Sequence, residues 1–149
     1  MSGAAPKVDL SRKYSYEEWY ELIQTSETKY EFVDGWLVDV RAMAGGTLAH
    51  SRIAVNLIVR LSNALEGKPC SVLNSDMAVR ARSKARYRYP DASIVCSDPE
   101  FDLQDEKQLV LLNPKVVIEV LSGGTEAIDR GAKFRDYIGI ESLHEYVLI

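Results

Sequence analysis

Lys115-Val116-Val117-Ile118-Glu119-Val120-Leu121 decides the fold. It is almost continuous β-branched apolar sequence interrupted by one carboxylate. A strand of this kind is covered on both faces, so other elements must flank it. Downstream, Gly123-Gly124 predicts a turn, followed by a helix from about Thr125 or Glu126 to Ile138 and a last apolar strand from Tyr146 to Ile149. Upstream, Pro90 opens a strand over Asp91–Cys96, and the acid-rich run from Ser97 to Gln108 reads as a solvated loop.

Further out, Ala49–Glu66 is the longest periodic segment, with Ile53, Leu57, Leu61 and Leu65 every fourth residue and Ala54, Ile58 and Ala64 widening the stripe. Ser15-Tyr16-Glu17-Glu18 is a capping box that opens a helix to about Thr25. Tyr30–Val33 and Trp36–Val40 are strands joined at Asp34-Gly35, a hairpin signal. Ser71–Leu73 and Met77–Ala81 are short strand candidates. Strands and helices interleave, which predicts an α/β fold: a mixed central sheet flanked by helices.

The chain has 149 residues, enough for a single domain. Residues 1–13 read as a flexible arm and 14–149 as the domain. With 18 basic and 22 acidic residues the net charge is −4, which excludes a globally basic nucleic-acid binder but not a local basic patch. No apolar run approaches the ~20 residues a membrane helix needs, and the N-terminus has no apolar core of the signal-peptide kind. A cytoplasmic protein with Cys70 and Cys96 as reduced, partly buried thiols is the expectation.

Glu119 is the anomaly. An unpaired charge in a buried strand costs several kcal/mol, so it must be paired, protonated or bound to a cation. Asp91 at the mouth of the neighbouring strand candidate is either a turn residue or a second acid of the same site. Two carboxylates brought together on adjacent strands repel unless a hard cation lies between them, and oxygen ligands with water completing the shell suit Mg2+ or Mn2+. Lys133 is either the partner of Asp129 in an i,i+4 pair or an ammonium aimed at the carboxylates, bordering an apolar face of Phe134, Tyr137 and Ile138. Glu31, opposite in face to Tyr30 and Phe32, is by itself a solvent-facing carboxylate, and His50 a cap or packed side chain. Arg80, Arg82, Lys84, Arg86 and Arg88 recur at every second position. On an extended ribbon they share one face and run into Pro90-Asp91, which reads as a phosphate-contacting stripe or as a charged edge that discourages strand pairing.

In order, Tyr30-Glu31-Phe32-Val33-Asp34-Gly35, His50 at the start of a long helix, Gly67-Lys68-Pro69-Cys70, Tyr89-Pro90-Asp91, Val117-Ile118-Glu119-Val120-Leu121-Ser122, the set Thr125, Asp129, Lys133, Tyr137, and Glu145-Tyr146 resemble the Uma-type putative restriction endonucleases of the PD-(D/E)XK nuclease superfamily. The resemblance runs from about Tyr14 to Ile149. It implies a restriction-endonuclease-like fold and Mg2+- or Mn2+-dependent hydrolysis of DNA. Asp91 and Glu119 would be metal ligands with the Val120 carbonyl, Lys133 the catalytic lysine, and Glu31 an additional acid. His50, Ser122, Asp129 and Tyr137 would support them. Leu121 stands where the superfamily lysine usually lies, so Lys133 must substitute for it in space. The family continues beyond the Tyr146 strand, so the resemblance also implies a shortened chain whose open strand edge a second copy would cover in a homodimer. The competing expectation is a catalytically silent module of the same fold that binds nucleic acid or a protein partner; a third is that Glu119 and Lys133 are a structural pair.

Overall fold

The computed structural model describes residues 7–43, 46–81 and 85–149. In chain order the elements are α1 (Tyr16–Thr25), β1 (Tyr30–Val33), β2 (Trp36–Asp39), α2 (Val40–Met43), α3 (Leu48–Ala64), β3 (Ser71–Asn74), β4 (Ala78–Arg80), β5 (Arg86–Arg88), β6 (Ala92–Val95), β7 (Val110–Leu111), β8 (Val116–Glu119), α4 (Glu126–Arg130), α5 (Ala132–Tyr137) and β9 (Glu145–Leu148). The α/β class is as the sequence predicts. The strands form two mixed sheets, ordered β2-β1-β5-β4-β7 and β3-β6-β8-β9. The β4–β7 and β8–β9 pairs are parallel; the others are antiparallel. Between β5 and β6 the chain passes from the first sheet to the second through Tyr89-Pro90-Asp91. Pro90 has no N–H to give to a ladder, so pairing breaks there.

Local chemistry accounts for the well-formed ends. The Ser15–Glu18 capping box closes both ways on α1. Asp34 and Gly35 both have positive φ, 52° and 94°, as a two-residue hairpin turn matched to strand twist requires. One core packs α1 on the first sheet through Trp19, Tyr30, Phe32, Leu37, Ala78, Tyr87 and Val110. Trp19 is fully buried, and its Nε1 donates to the Tyr30 carbonyl at 2.7 Å. Val8, from the expected arm, packs against this core; residues 1–6 lie outside the described residues. The second core joins the sheets: Val79 and Leu111 from the first meet Val95, Val117, Tyr137 and Ile140.

Several expectations need correction. The stripe of the Ala49–Glu66 segment is turned inward but only half-buried: Ala54, Leu57, Ile58, Leu61 and Leu65 are partly covered, Ile53 and Ala64 are exposed, no residue of α3 is buried, and off the stripe Leu48, Val55 and Val59 stay exposed. The helix after β8 is two helices. Gly131 (ψ −92°) breaks it, and a Cβ there would lie 2.9 Å from the Ala127 carbonyl oxygen. Phe134 and Ile138 face solvent, whereas Lys133, Asp136 and Tyr137 are buried. Cys70 and Cys96 form a disulfide instead of staying as thiols. The β3–β6 register pairs Ser71 with Val95, so one further step sets the two cysteines opposite each other.

The basic stripe is not a single face. Arg80 lies on β4, and Arg86 and Arg88 on the antiparallel β5; Arg82 and Lys84 lie outside the described residues. All three described arginines are already neutralised inside the protein. Arg80 pairs with Asp102 at 3.3 Å, Arg86 with Asp34 at 2.8 Å and Asp136 at 2.6 Å, and Arg88 with Asp136 at 2.9 Å and Glu31 at 3.1 Å. Arg88 is 4% exposed, so phosphate contact by this side chain would require its internal pairs to break.

Candidate active site

The β6–β8 register brings the two strand acids together. Ala92 pairs with Ile118 and Ser93 with Val117, so Asp91 follows opposite Glu119. Successive strand side chains alternate in face, and directly opposed residues share one. Both acids line a small cavity with His50, Val120, Ser122 and Lys133. Asp91 Oδ2 accepts from the Val120 N–H at 2.7 Å, and His50 Nε2 lies 3.6 Å from Asp91 Oδ1. The Thr47 hydroxyl caps α3 by accepting from the His50 N–H at 3.1 Å, which sets His50 in the first turn beside the cavity.

Lys133 arrives from α5. Its Nζ is 2.8 Å from Asp129 Oδ1 and 3.6 Å from Glu119 Oε2. Tyr137, one turn further, donates its hydroxyl to Glu119 Oε1 at 3.2 Å. Asp129 is held in turn: Thr125 donates to its Oδ2 at 3.0 Å, and the Ser122 and Thr125 hydroxyls lie 2.9 Å apart. The structure therefore joins Asp91, Glu119, Lys133, Asp129, Tyr137, Ser122 and His50 in one contiguous cluster.

Glu31 lies on the cavity wall, but it is a buried residue, 1% exposed, and not a solvent-facing one. Both of its oxygens accept, Oε1 from Arg88 at 3.1 Å and Oε2 from the Tyr89 N–H at 2.8 Å. Sequence reasoning missed Asp136, which has no exposed surface, and the inward role of Arg88. The signal was available in the spacing: Asp129, Lys133, Asp136 and Tyr137 fall at i, i+4, i+7 and i+8, one face of a helix.

Electrostatics mark the cluster as short of positive charge. Burial, with the neighbouring Asp91, Asp129 and Glu31 carboxylates, pushes Glu119 well above the usual range, and Lys133 only partly offsets this. Burial alone would pull Lys133 down, but the Glu119, Glu31 and Asp129 charges outweigh it and hold the amine above its ordinary value, as an ammonium. Burial also pushes the Tyr137 hydroxyl well up, so it stays a donor. Among the described residues no three His, Cys, Asp or Glu side chains converge as a chelating group. The donor set is two hard carboxylates beside a cavity of about 40 Å3, room for a few waters on the ~10–15 Å3 each needs. That set fits a small hydrated divalent ion such as Mg2+, which keeps several waters and uses one or two carboxylates.

Residues 15–149 match the family described as Uma2, putative restriction endonuclease. The chain belongs to this family. Two uncharacterized proteins of Synechocystis sp. are similar to it along most of its length. One is 37% identical over 92% of this chain and 68% of its own; the other is 30% identical over 89% and 72%. Among solved structures, a putative nuclease of the DUF820 group from Anabaena variabilis superposes with a TM-score of 0.67 at 14% identity, covering 89% of this chain and 74% of that one. At that identity the likeness establishes the fold.

Proposed function

We propose that this protein is a metal-dependent endonuclease that hydrolyses phosphodiester bonds of DNA. The observation that carries the reading is the opposition of Asp91, at the mouth of β6, and Glu119, at the end of β8, with the Lys133 ammonium beside Glu119. Asp91 and Glu119 would hold Mg2+ or Mn2+ with the Val120 carbonyl; bound there, the ion supplies a water of lowered pKa and neutralises phosphate charge. Lys133 offers a preformed positive charge to the phosphate as its negative charge grows. Tyr137 fixes the Glu119 carboxylate from behind, Asp129 and Ser122 steady the lysine side, and His50 flanks Asp91. Glu31 stands on the cavity wall as an additional acid. Membership of a putative restriction endonuclease family supports the same reading.

The test is cleavage of plasmid, linear duplex, single-stranded DNA and RNA with Mg2+ or Mn2+, alongside calorimetric ion titration. Asp91→Asn and Lys133→Met should each lower the rate by at least ~10²-fold, as loss of a preorganised electrostatic group does. A wild-type protein that binds neither ion and cuts none of these substrates sinks the proposal. Binding of nucleic acid without cutting would establish the silent module instead. We also propose a homodimer. Its support is the exposed apolar surface of α3 and the position of β9 at a sheet edge. Analytical ultracentrifugation returning only monomer at assay concentrations would remove it. Among the described residues no helix is long and apolar enough to cross a membrane.

A further inference from the structure

Helix α5 is six residues long, with no side-chain cap at its start and a break at Gly131 behind it. Two turns of helix are not stable by themselves. Whatever sets the place of Lys133 must therefore come from outside the helix, and the contacts are visible. Asp136, three residues beyond Lys133, receives Arg86 at 2.6 Å and Arg88 at 2.9 Å, both from β5. Arg88 also reaches Glu31 on β1 at 3.1 Å, and Glu31 accepts from the N–H of Tyr89, two residues before Asp91. Asp34, Arg86, Asp136, Arg88 and Glu31 thus form a chain of alternating charge from the surface to the cavity wall.

We infer that Arg88 and Asp136 are positioning residues, which hold the Lys133 helix and the Tyr89–Asp91 segment in fixed relation. The planar guanidinium of Arg88 serves two carboxylates from different elements at once, which a point charge on a flexible stem does not reproduce. Among the described residues Arg88 of β5 is the one side chain that makes ion pairs with both α5 and β1. The inference concerns the arrangement of the site and rests on the endonuclease reading only for its kinetic consequence.

The experiment compares wild type with Asp136→Asn, Arg88→Lys and Arg86→Gln. Melting temperature, the 15N resonance of the Lys133 ammonium, and kcat and KM for nucleic-acid cleavage are the readouts. Asp136→Asn and Arg88→Lys should shift or broaden the Lys133 resonance and lower kcat about tenfold or more, with KM changed less than about twofold, since a misplacement near 1 Å is sufficient for such losses. Arg86→Gln loses only one of the two grips on Asp136 from a one-third-exposed side chain. It should fold and give the same resonance shift at smaller size, with about a threefold fall in kcat. A lower melting temperature with the Lys133 resonance unmoved in the folded variants would overturn the inference, and Arg86→Gln alone decides it if the inner variants do not fold. A wild type that does not cleave would sink the endonuclease reading instead, while the resonance still decides the positioning role.

Discussion

Helix α3 is seventeen residues long and rich in leucine, isoleucine and valine, yet none of its residues is buried. Helix α5 is six residues long and buries a lysine, an aspartate and a tyrosine while Phe134 stays exposed. The two helices differ in what they meet. Strands β5 and β8 offer α5 arginines and a buried carboxylate, so Lys133, Asp136 and the Tyr137 hydroxyl find partners and Phe134 is left at the surface. α3 lies along β3 at a sheet edge, and among the described residues nothing covers its outer face enough to bury any of its side chains. Burial in this protein follows the chemistry of the partner, and hydrophobicity alone does not decide which face turns inward.

The comparison can be broken most directly at Lys133. Lys133→Met removes the cation between Glu119 and Asp129, and loss of one member of a buried ion pair costs about 3–5 kcal/mol. Urea unfolding should show that fall; a loss below about 1 kcal/mol would mean that α5 does not depend on its charges. Next in size is the disulfide. Cys70 ties the strand that follows α3 to β6, and opening a loop of this length costs about 3 kcal/mol. Cys70→Ser should therefore lower the unfolding free energy by that amount and the midpoint with it, and thiol counting of the unfolded wild type without reductant should find no free cysteine. An equal midpoint with and without the bridge would show that α3 and β3 are held by packing instead.

Smaller and of opposite sign is Glu119→Gln. It takes one negative charge out of an acid-rich cluster and keeps an acceptor for Tyr137. In the metal-free protein it should raise stability by on the order of 1 kcal/mol, with cleavage abolished. Destabilisation would mean that the pair with Lys133 outweighs the repulsion from Asp91 and Asp129. The smallest effect belongs to α3. Val55→Lys, at a 59%-exposed position, should change monomer stability by about 0.5 kcal/mol or less. If a second copy covers this helix, the same substitution converts dimer to monomer in ultracentrifugation.

Much of the site was legible before folding. The β-branched run around Glu119, the Pro90-Asp91 strand mouth and the helical offset of Lys133 are local patterns, and local patterns set secondary structure. From the strand assignments alone, Asp91 and Glu119 could be placed on neighbouring strands, and their opposition depended on a register the sequence does not state. Asp136 was overlooked because a helix period of 3.6 offers several faces, and Phe134 with Ile138 suggested the wrong one. The arginines were misread for a related reason. Alternation at every second residue describes a ribbon, but a strand boundary between Arg80 and Arg86 folds that ribbon back on itself.

What the amino-acid order determined by itself is therefore the set of elements and the identity of the acids and the amine that could act together. Capping, turn geometry and side-chain periodicity operate over a few residues and carry that information along the chain. Only the tertiary structure decided which face of α5 points inward, that Arg88 is an internal counter-ion, that Glu31 is buried, and that Cys70 meets Cys96. Each of these depends on a partner dozens of residues away, and the free energy of burying a charge or an apolar group is set by that partner.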